Sequence, residues 1–351
     1  MSTYYQETKQ ANYQKYQEIR KTLPVYAQEF LKAKAVSCQA STLEQYTIDL
    51  TIFFTFLCQQ NPAAPAEMKD VPLEIIDSMS FHDINEYQAY LKNGYRDDGH
   101  MYSSSEYTIA RRMSSLRSFF KFLFTHQYIK ADPTQGAERV RIKKDKAVDR
   151  LKYDQVETLL HTVETTNFRE DTRQEKFRKK TKDRDYAIVQ LFLTTGLRVS
   201  ELVGLNIADI DFRNSTLSVI RKGGKRDIVY FNDDVSASLM IYIENERNNY
   251  LDETSPDKDA LFLSNRGTRM SVSTIQKMLK EFAKEALPGE KRVYPHKLRK
   301  TYGTELYDKT GDIRLVADVL GHSSVDTTAR HYIDVSDQHK RIARDVDLYK
   351  D

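Results

Sequence analysis

Apolar residues recur at helical spacing through the first third of the chain. In "STLEQYTIDLTIFFTFLCQQ" (41–60), Leu43, Tyr46, Leu50, Phe53, Phe54 and Leu57 form one stripe, and Ser41 with Glu44 makes a capping-box pair at its start. "FHDINEYQAYLKNG" (81–94) puts Ile84, Tyr87 and Leu91 on one face and ends at Asn93-Gly94. The clearest stripe is in "EYTIARRMSSLRSFFKFLFTHQYI" (106–129), where Ile109, Met113, Leu116, Phe120 and Leu123 align and Ser103 with Glu106 can cap the helix. Arg111, Arg112, Arg117 and Lys121 fall largely off that stripe, so a basic outer surface is expected there. A shorter helix around "PVYAQEFLKAKA" (24–35) completes a predicted bundle of about four.

Asp132-Pro133 stops the third stripe. A polar, basic stretch runs from there to Arg150 and reads as an interdomain linker; it contains "RIKKDK" (141–146), with Lys143 and Lys144. In the second half the period changes. "STLSVIR" and "RDIVYF" are β-prone runs joined by "KGGK", the composition of a hairpin turn, and "IDFR" (210–213) is a candidate third strand. Helices are expected around 271–286, 296–308, 313–320 and 324–333, and the charged segment 167–185 as a surface excursion. The expected fold is mainly α with a small antiparallel β-sheet. It divides into an N-terminal arm (1–20), a helical domain (21–131), a linker (132–150) and an α+β domain (151–351).

Composition narrows the class. Hydrophobic residues make up 40% and charged residues 30% of the 351, which describes a globular protein with room for two cores. The longest apolar runs, such as "IFFTFL", are too short to span a bilayer, and "MSTYYQETKQ" has no signal pattern, so the cytoplasm is the expected compartment. Cys38 and Cys58 form no metal-binding or disulfide framework. The net charge of +3 says little about a polyanionic partner, but the basic clusters at 141–146 and 176–180 are local candidates for one.

Four stretches of the second half carry candidate chemistry. "TTGLRVSELVGL" places Arg198 after Gly196, a glycine suited to end the preceding helix in a left-handed conformation. "RKGGKRD" places Lys222 and Lys225 at a hairpin tip. "PHKLRKTYGTEL" puts His296 and Arg299 on one helical face. "LGHSSVDTTARHY" supplies His322 and, ten residues later, Tyr332. Taken singly, each is accounted for by ordinary turn or packing chemistry. Together they form a kit for attacking a phosphodiester. Two arginines can spread the charge on the phosphoryl group. A lysine on a flexible tip can protonate the leaving 5′ oxygen. His296 can take the proton of a phenol whose ionisation at pH 7 costs about 4 kcal/mol, and His322 can hydrogen-bond a phosphate oxygen. His331, about 100° of helix away from Tyr332, faces elsewhere. No Asp/Glu cluster at metal-binding spacing accompanies them, and no cofactor or metal is expected.

In order and spacing these stretches resemble the signature of the tyrosine recombinases, the phage-integrase family: Arg, Lys, His-x-x-Arg, His or Trp, then Tyr. The resemblance covers the whole chain, and the length, the N-terminal arm and "RKGGKRD" are similar to the Xer branch, closest to its XerS-like stand-alone members. It implies catalytic roles for Arg198, Lys222, His296, Arg299 and His322, with Tyr332 as nucleophile and Glu201 bracing the first arginine. Lys300 stands where a histidine commonly follows the second arginine, and one residue more than in many members separates His322 from Tyr332. Arg111, Arg112, Arg117, Lys143, Lys144 and Lys225 are candidate DNA contacts. The resemblance further implies a duplex DNA target and a homotetramer on two sites. It implies a 3′-phosphotyrosine intermediate, dimer resolution at a dif-like site and a DNA translocase of the division machinery as partner. The alternatives are a mobile-element integrase, a type IB topoisomerase-like enzyme and a non-catalytic DNA-binding module.

Overall fold

The computed structural model describes residues 4–93, 104–141, 149–165, 173–290, 292–322 and 325, of which 173–177 by backbone alone. The chain divides into two compact units, Met1–Lys144 and Asp145–Asp351.

The first unit is helical: α1 (Tyr4–Arg20), α2 (Val25–Ala35), α3 (Ala40–Gln60), the short α4 (Leu73–Asp77), α5 (Phe81–Asn93) and α6 (Glu106–Thr125). The predicted stripes meet in one core, where Phe30, Phe53, Phe54, Tyr87, Phe119 and Phe120 are almost completely buried. Their rings meet edge-to-face, as Phe53 does with Tyr87 and with Phe120, the arrangement the aromatic quadrupole favours. Residues 4–20, expected as an arm, form a helix whose Tyr16 is wholly buried. Lys15 on this helix takes Glu44 at 2.5 Å, so Glu44 is engaged across helices and the expected Ser41–Glu44 capping box is not formed. Instead α3 starts at Ala40, without a side-chain cap. The cap of α6 is Ser105, whose hydroxyl accepts from the Thr108 amide; Ser103 lies outside the described residues.

The basic outer surface expected of α6 is not observed. Asp49 of α3 is buried, and a buried carboxylate requires a partner. Arg111 supplies it with a two-pronged contact of 2.6 and 2.9 Å, and Ser115 adds a bond of 2.7 Å. Arg112 is buried and donates to Ser104, while Arg117 is half-buried. Of the four basic residues only Lys121 is fully exposed. The beginning of the expected linker also packs on this unit: Ala137 is buried, and the Glu138 amide donates to Asn85.

The second unit comprises α7 (Tyr153–Thr165), α8 (Arg173–Thr195), α9 (Val199–Val203), β1 (Ile210–Asp211), β2 (Thr216–Ile220), β3 (Arg226–Tyr230), α10 (Asp233–Ile241), α11 (Val272–Ala286), α12 (Pro295–Thr310) and α13 (Ile313–Leu320). The strands form an antiparallel meander in the order β1-β2-β3. Leu217 pairs with Val229 on its buried face, and the edge contribution of "IDFR" is two residues long. From Arg173 on, the segment expected as a surface excursion is the first half of α8. Thr181, Arg184 and Asp185 are buried there, because Arg184 forks onto Asp185 and reaches the Leu263 carbonyl. α8 packs against α12, and Arg299 in the second turn of α12 reaches the Gly196 carbonyl that follows α8.

Candidate active site

Two helix ends build the site. Gly196 follows α8 with φ +61°, and its amide donates back to Phe192. Gly321 follows α13, also with φ +61°. There the Gly321 amide bonds Asp318 and the His322 amide bonds Ala317, the paired bonds of a Schellman end. Both turns need glycine for space as well as for φ. A Cβ on Gly196 would lie 2.5 Å from Tyr302 and 2.6 Å from Leu320, and one on Gly321 would lie 2.8 Å from Arg221.

Helix C-termini expose unpaired carbonyls at the negative end of the dipole, and here arginines take them. Arg299, 1% exposed, donates to Gly196 O at 2.6 Å and to Leu320 O. Its Nη2 also lies 3.0 Å from His322 Nε2. With arginine as donor, Nε2 accepts, and the proton of the ring resides on Nδ1. Arg198 is the N-terminal flank of α9, and its guanidinium donates to Glu201 at 2.7 Å and to Gly321 O at 3.2 Å. Glu201, itself buried, also accepts from the Arg198 amide. Arg198 with Glu201, Arg299 and His322, from three stretches far apart in sequence, therefore form one cluster.

A third arginine joins it. Arg221 closes β2 and is 7% exposed. It reaches Glu201 at 3.0 Å, Asp227 of β3 at 2.9 Å and Val319 O at 3.0 Å. The following turn carries Lys222 and Lys225, both exposed, around Gly223 (φ +94°) and Gly224 (φ +85°). The Gly224 amide donates to Arg221 O, and positive φ at the third turn position is what glycine permits.

His296 is exposed in the first turn of α12, which Pro295 opens. Beside it Lys297 is 3% exposed and held between Asp149 at 2.9 Å and Glu290 at 2.5 Å. Burial alone would lower the Lys297 ammonium, but the two carboxylates outweigh it and hold it above its ordinary range. Burial likewise pushes Asp149 up, but bonds from Lys297 and Tyr294 prevail and hold it below the usual carboxylate range. The Leu151 amide donates to Thr301 and Arg150 pairs with Asp308, so residues 149–151 lie along α12 and steady the helix that carries His296 and Arg299.

Of the residues singled out from sequence, Tyr332, His331, Lys143 and Lys144 lie outside the described residues. Arg111, Arg112 and Arg117 belong to the other unit's packing. Sequence reading missed Arg221 and Lys297, each adjacent to a residue it had named; nothing in the periodicity marked either as buried. Among the described residues no cluster of three or more His, Cys, Asp or Glu could hold a metal ion, and no helix is long and apolar enough to cross a membrane.

Two helix ends gripped by arginines, with a lysine hairpin beside them, form a basic cluster suited to an anion on a mixed α+β unit. The chain belongs to the phage integrase family, whose model matches residues 149–339. It is 32% identical to the tyrosine recombinase XerC of Caldanaerobacter subterraneus subsp. tengcongensis, covering 91% of this chain and 86% of that one. It is 30% identical to the tyrosine recombinase XerS of Streptococcus agalactiae, covering 93% and 96%. In fold it is similar to the XerH site-specific recombinase bound to palindromic difH substrate (TM-score 0.65, 18% identity, 89% and 82% covered). It is also similar to the Tn1549 transposon integrase in complex with circular intermediate DNA (TM-score 0.64, 19% identity, 92% and 99% covered). The protein is a Xer-type tyrosine recombinase, an enzyme of site-specific DNA recombination.

Proposed function

We propose that this recombinase resolves chromosome dimers at a dif-like site, cutting and rejoining DNA through Tyr332. The observation that carries the chemical reading is the joining of Arg198, Glu201, Arg299 and His322 around two helix ends. In this reading Tyr332 Oη attacks phosphorus, the bond to the 5′ oxygen breaks, and a 3′-phosphotyrosine forms. His296 takes the phenol proton and Lys222 supplies one to the leaving oxygen. Arg198, Arg299 and His322 Nδ1–H stabilise the charge on the phosphoryl oxygens, a role in which one lost donor typically costs roughly 100- to 1,000-fold. The phosphotyrosine conserves the bond energy, so the partner strand's hydroxyl can reverse the step without ATP or metal. A homotetramer on two sites would exchange strands, with a DNA translocase of the division machinery as regulator.

The cellular role draws on the near full-length match to XerS; the likeness to the transposon integrase concerns the fold alone. A nicked duplex tests the chemistry. Its short 5′ fragment diffuses away after cleavage, trapping a covalent adduct that Tyr332→Phe abolishes while DNA binding persists. An adduct that maps to Tyr302 or Tyr349 refutes the assignment; burial already pushes the Tyr302 phenol up, away from easy ionisation. Sequencing the adducts trapped in cells tests the role. A single chromosomal locus is expected, and adducts confined to the ends of a mobile element overturn it.

A further inference from the structure

We propose that Arg221 is a positioning residue for the general acid, fixing the hairpin from which Lys222 reaches the leaving oxygen; the proposal rests on the recombinase reading above. The turn from Arg221 to Lys225 is closed by its own backbone, Arg221 N–H to Lys225 O at 2.8 Å and Gly224 N–H to Arg221 O at 3.0 Å. These bonds shape the turn and tie it to nothing else. Gly223 and Gly224 contribute no side chains, and Lys222 and Lys225 are exposed. The β2–β3 ladder pairs Ile220 with Arg226 just below the turn, so what the turn still needs is a hold against the neighbouring helices.

The Arg221 guanidinium is that hold. Its three nitrogens each take a different element: Nε the Asp227 carboxylate of β3, Nη1 the Glu201 carboxylate of α9, and Nη2 the Val319 carbonyl near the end of α13. The same Glu201 braces Arg198, and Val319 lies three residues before His322. One side chain thus sets the base of the lysine turn against the arginine brace and the histidine-bearing helix end. Only a planar fork can satisfy three acceptors in this way; a lysine offers a point charge. The contact is tight enough to account for Gly321, where a Cβ would meet Arg221 Nε at 2.8 Å.

The test compares single-turnover cleavage of a nicked target with the bridging 5′ atom as oxygen or as sulfur. A thiolate leaves without protonation, so sulfur makes the general acid dispensable. Lys222→Ala serves as the reference, slow on oxygen and rescued on sulfur. We expect Arg221→Ala to cleave the oxygen substrate roughly 10- to 100-fold more slowly than the parent protein, with about tenfold or more of that deficit recovered on sulfur. DNA affinity should stay near the parent's. Arg221→Lys, which keeps the charge and loses the fork, should show the same pattern in weaker form, and it carries the test if the alanine variant does not fold. Equal deficits on both substrates, beside a rescued Lys222→Ala, overturn the proposal and leave Arg221 a packing residue. A parent protein that forms no adduct with either substrate overturns the recombinase reading, and this proposal with it.

Discussion

Replacing Gly196 with alanine separates backbone strain from steric collision, because a second glycine supplies the control. Gly196 and Gly311 both end helices with φ near +65° (+61° and +67°). An L-residue in that conformation costs roughly 1–2 kcal/mol, offset in part by the lower entropy of the unfolded chain. At Gly311 a Cβ meets nothing within 4 Å, so Gly311→Ala should destabilise by about 1 kcal/mol. At Gly196 the Cβ would lie 2.5 Å from Tyr302 and 2.6 Å from Leu320, both in packed surroundings. Overpacking of this kind adds roughly 1–3 kcal/mol, for a total of about 2–4. The two variants should differ more in activity than in stability. Gly196 O and Leu320 O are the acceptors that seat Arg299, and the collision displaces both. A misplacement near 1 Å at a reacting centre can cost about 100-fold in rate. The assay is urea unfolding beside single-turnover cleavage of the nicked substrate, under conditions where each variant is folded. Equal costs at the two glycines, or a folded Gly196→Ala that cleaves at the parent rate, would refute the reasoning.

Cleavage should proceed undiminished in EDTA, whereas Arg198→Ala slows it by roughly 100-fold or more; strict dependence of the chemical step on magnesium would sink the mechanism. A pH effect on stability is expected from Glu246, whose carboxylate is pushed up from 4.5 to about 7, first by burial and then by Asp185, against backbone amides and Arg184 that favour the charge. Because the folded value lies above the unfolded one, the folded state takes up the extra proton and stability falls as pH rises from about 4.5 to 7. Glu246→Gln should remove that dependence, narrowing or reversing a difference of up to about 3 kcal/mol between pH 4.5 and 8 in paired denaturation curves. Parallel curves for the two proteins across this range would show that Glu246 stays charged when folded.

How far the fold was legible depended on whether local patterning decided the outcome. The stripes of α3, α5 and α6 could be read because one face of each helix is buried and the helical period records it. The hairpin was readable because "KGGK" has the composition a tight turn needs. The site was legible in part for a similar reason: Arg198, Arg299 and His322 stand beside Gly196, Pro295 and Gly321, punctuation residues that locate helix ends. What escaped was set by tertiary partners. The basic residues of α6 looked like a surface because nothing in their own segment reveals that Asp49, 62 positions before Arg111, is buried. The segment from Arg173 looked like a surface excursion because the partners that bury its last turn are set by the fold: Arg184 forks onto its neighbour Asp185, and the amides of Asp183 and Arg184 donate to Glu246. Arg221 and Lys297 are charged residues with no local reason for burial: Arg221 became visible only when β3, α9 and α13 closed around it, and Lys297 only when Asp149 and Glu290 did.

In the proposed mechanism, the charge balance of the cluster makes Arg198 the guanidinium best placed for exchange. Three arginines face two carboxylates, and the surplus is taken up by carbonyls at the ends of α8 and α13. Helix C-termini stabilise cations, so the arginines can be held in place before a phosphate arrives. Holding them there has a cost, because every bond to a carbonyl must be given up or shared when a phosphate oxygen competes for the same N–H. Arg299 and Arg221 are buried, with bonds of 3.0 Å or less. Arg198 is 30% exposed at its side chain, and its contact to Gly321 O is the longest of the set at 3.2 Å. Exchanging that contact for a phosphate oxygen sacrifices the least, and Glu201 keeps the other side of the fork fixed meanwhile. Glu201 therefore does more than neutralise. By taking Arg198 and Arg221 on its two oxygens it ties the half-buried arginine to the buried one behind it.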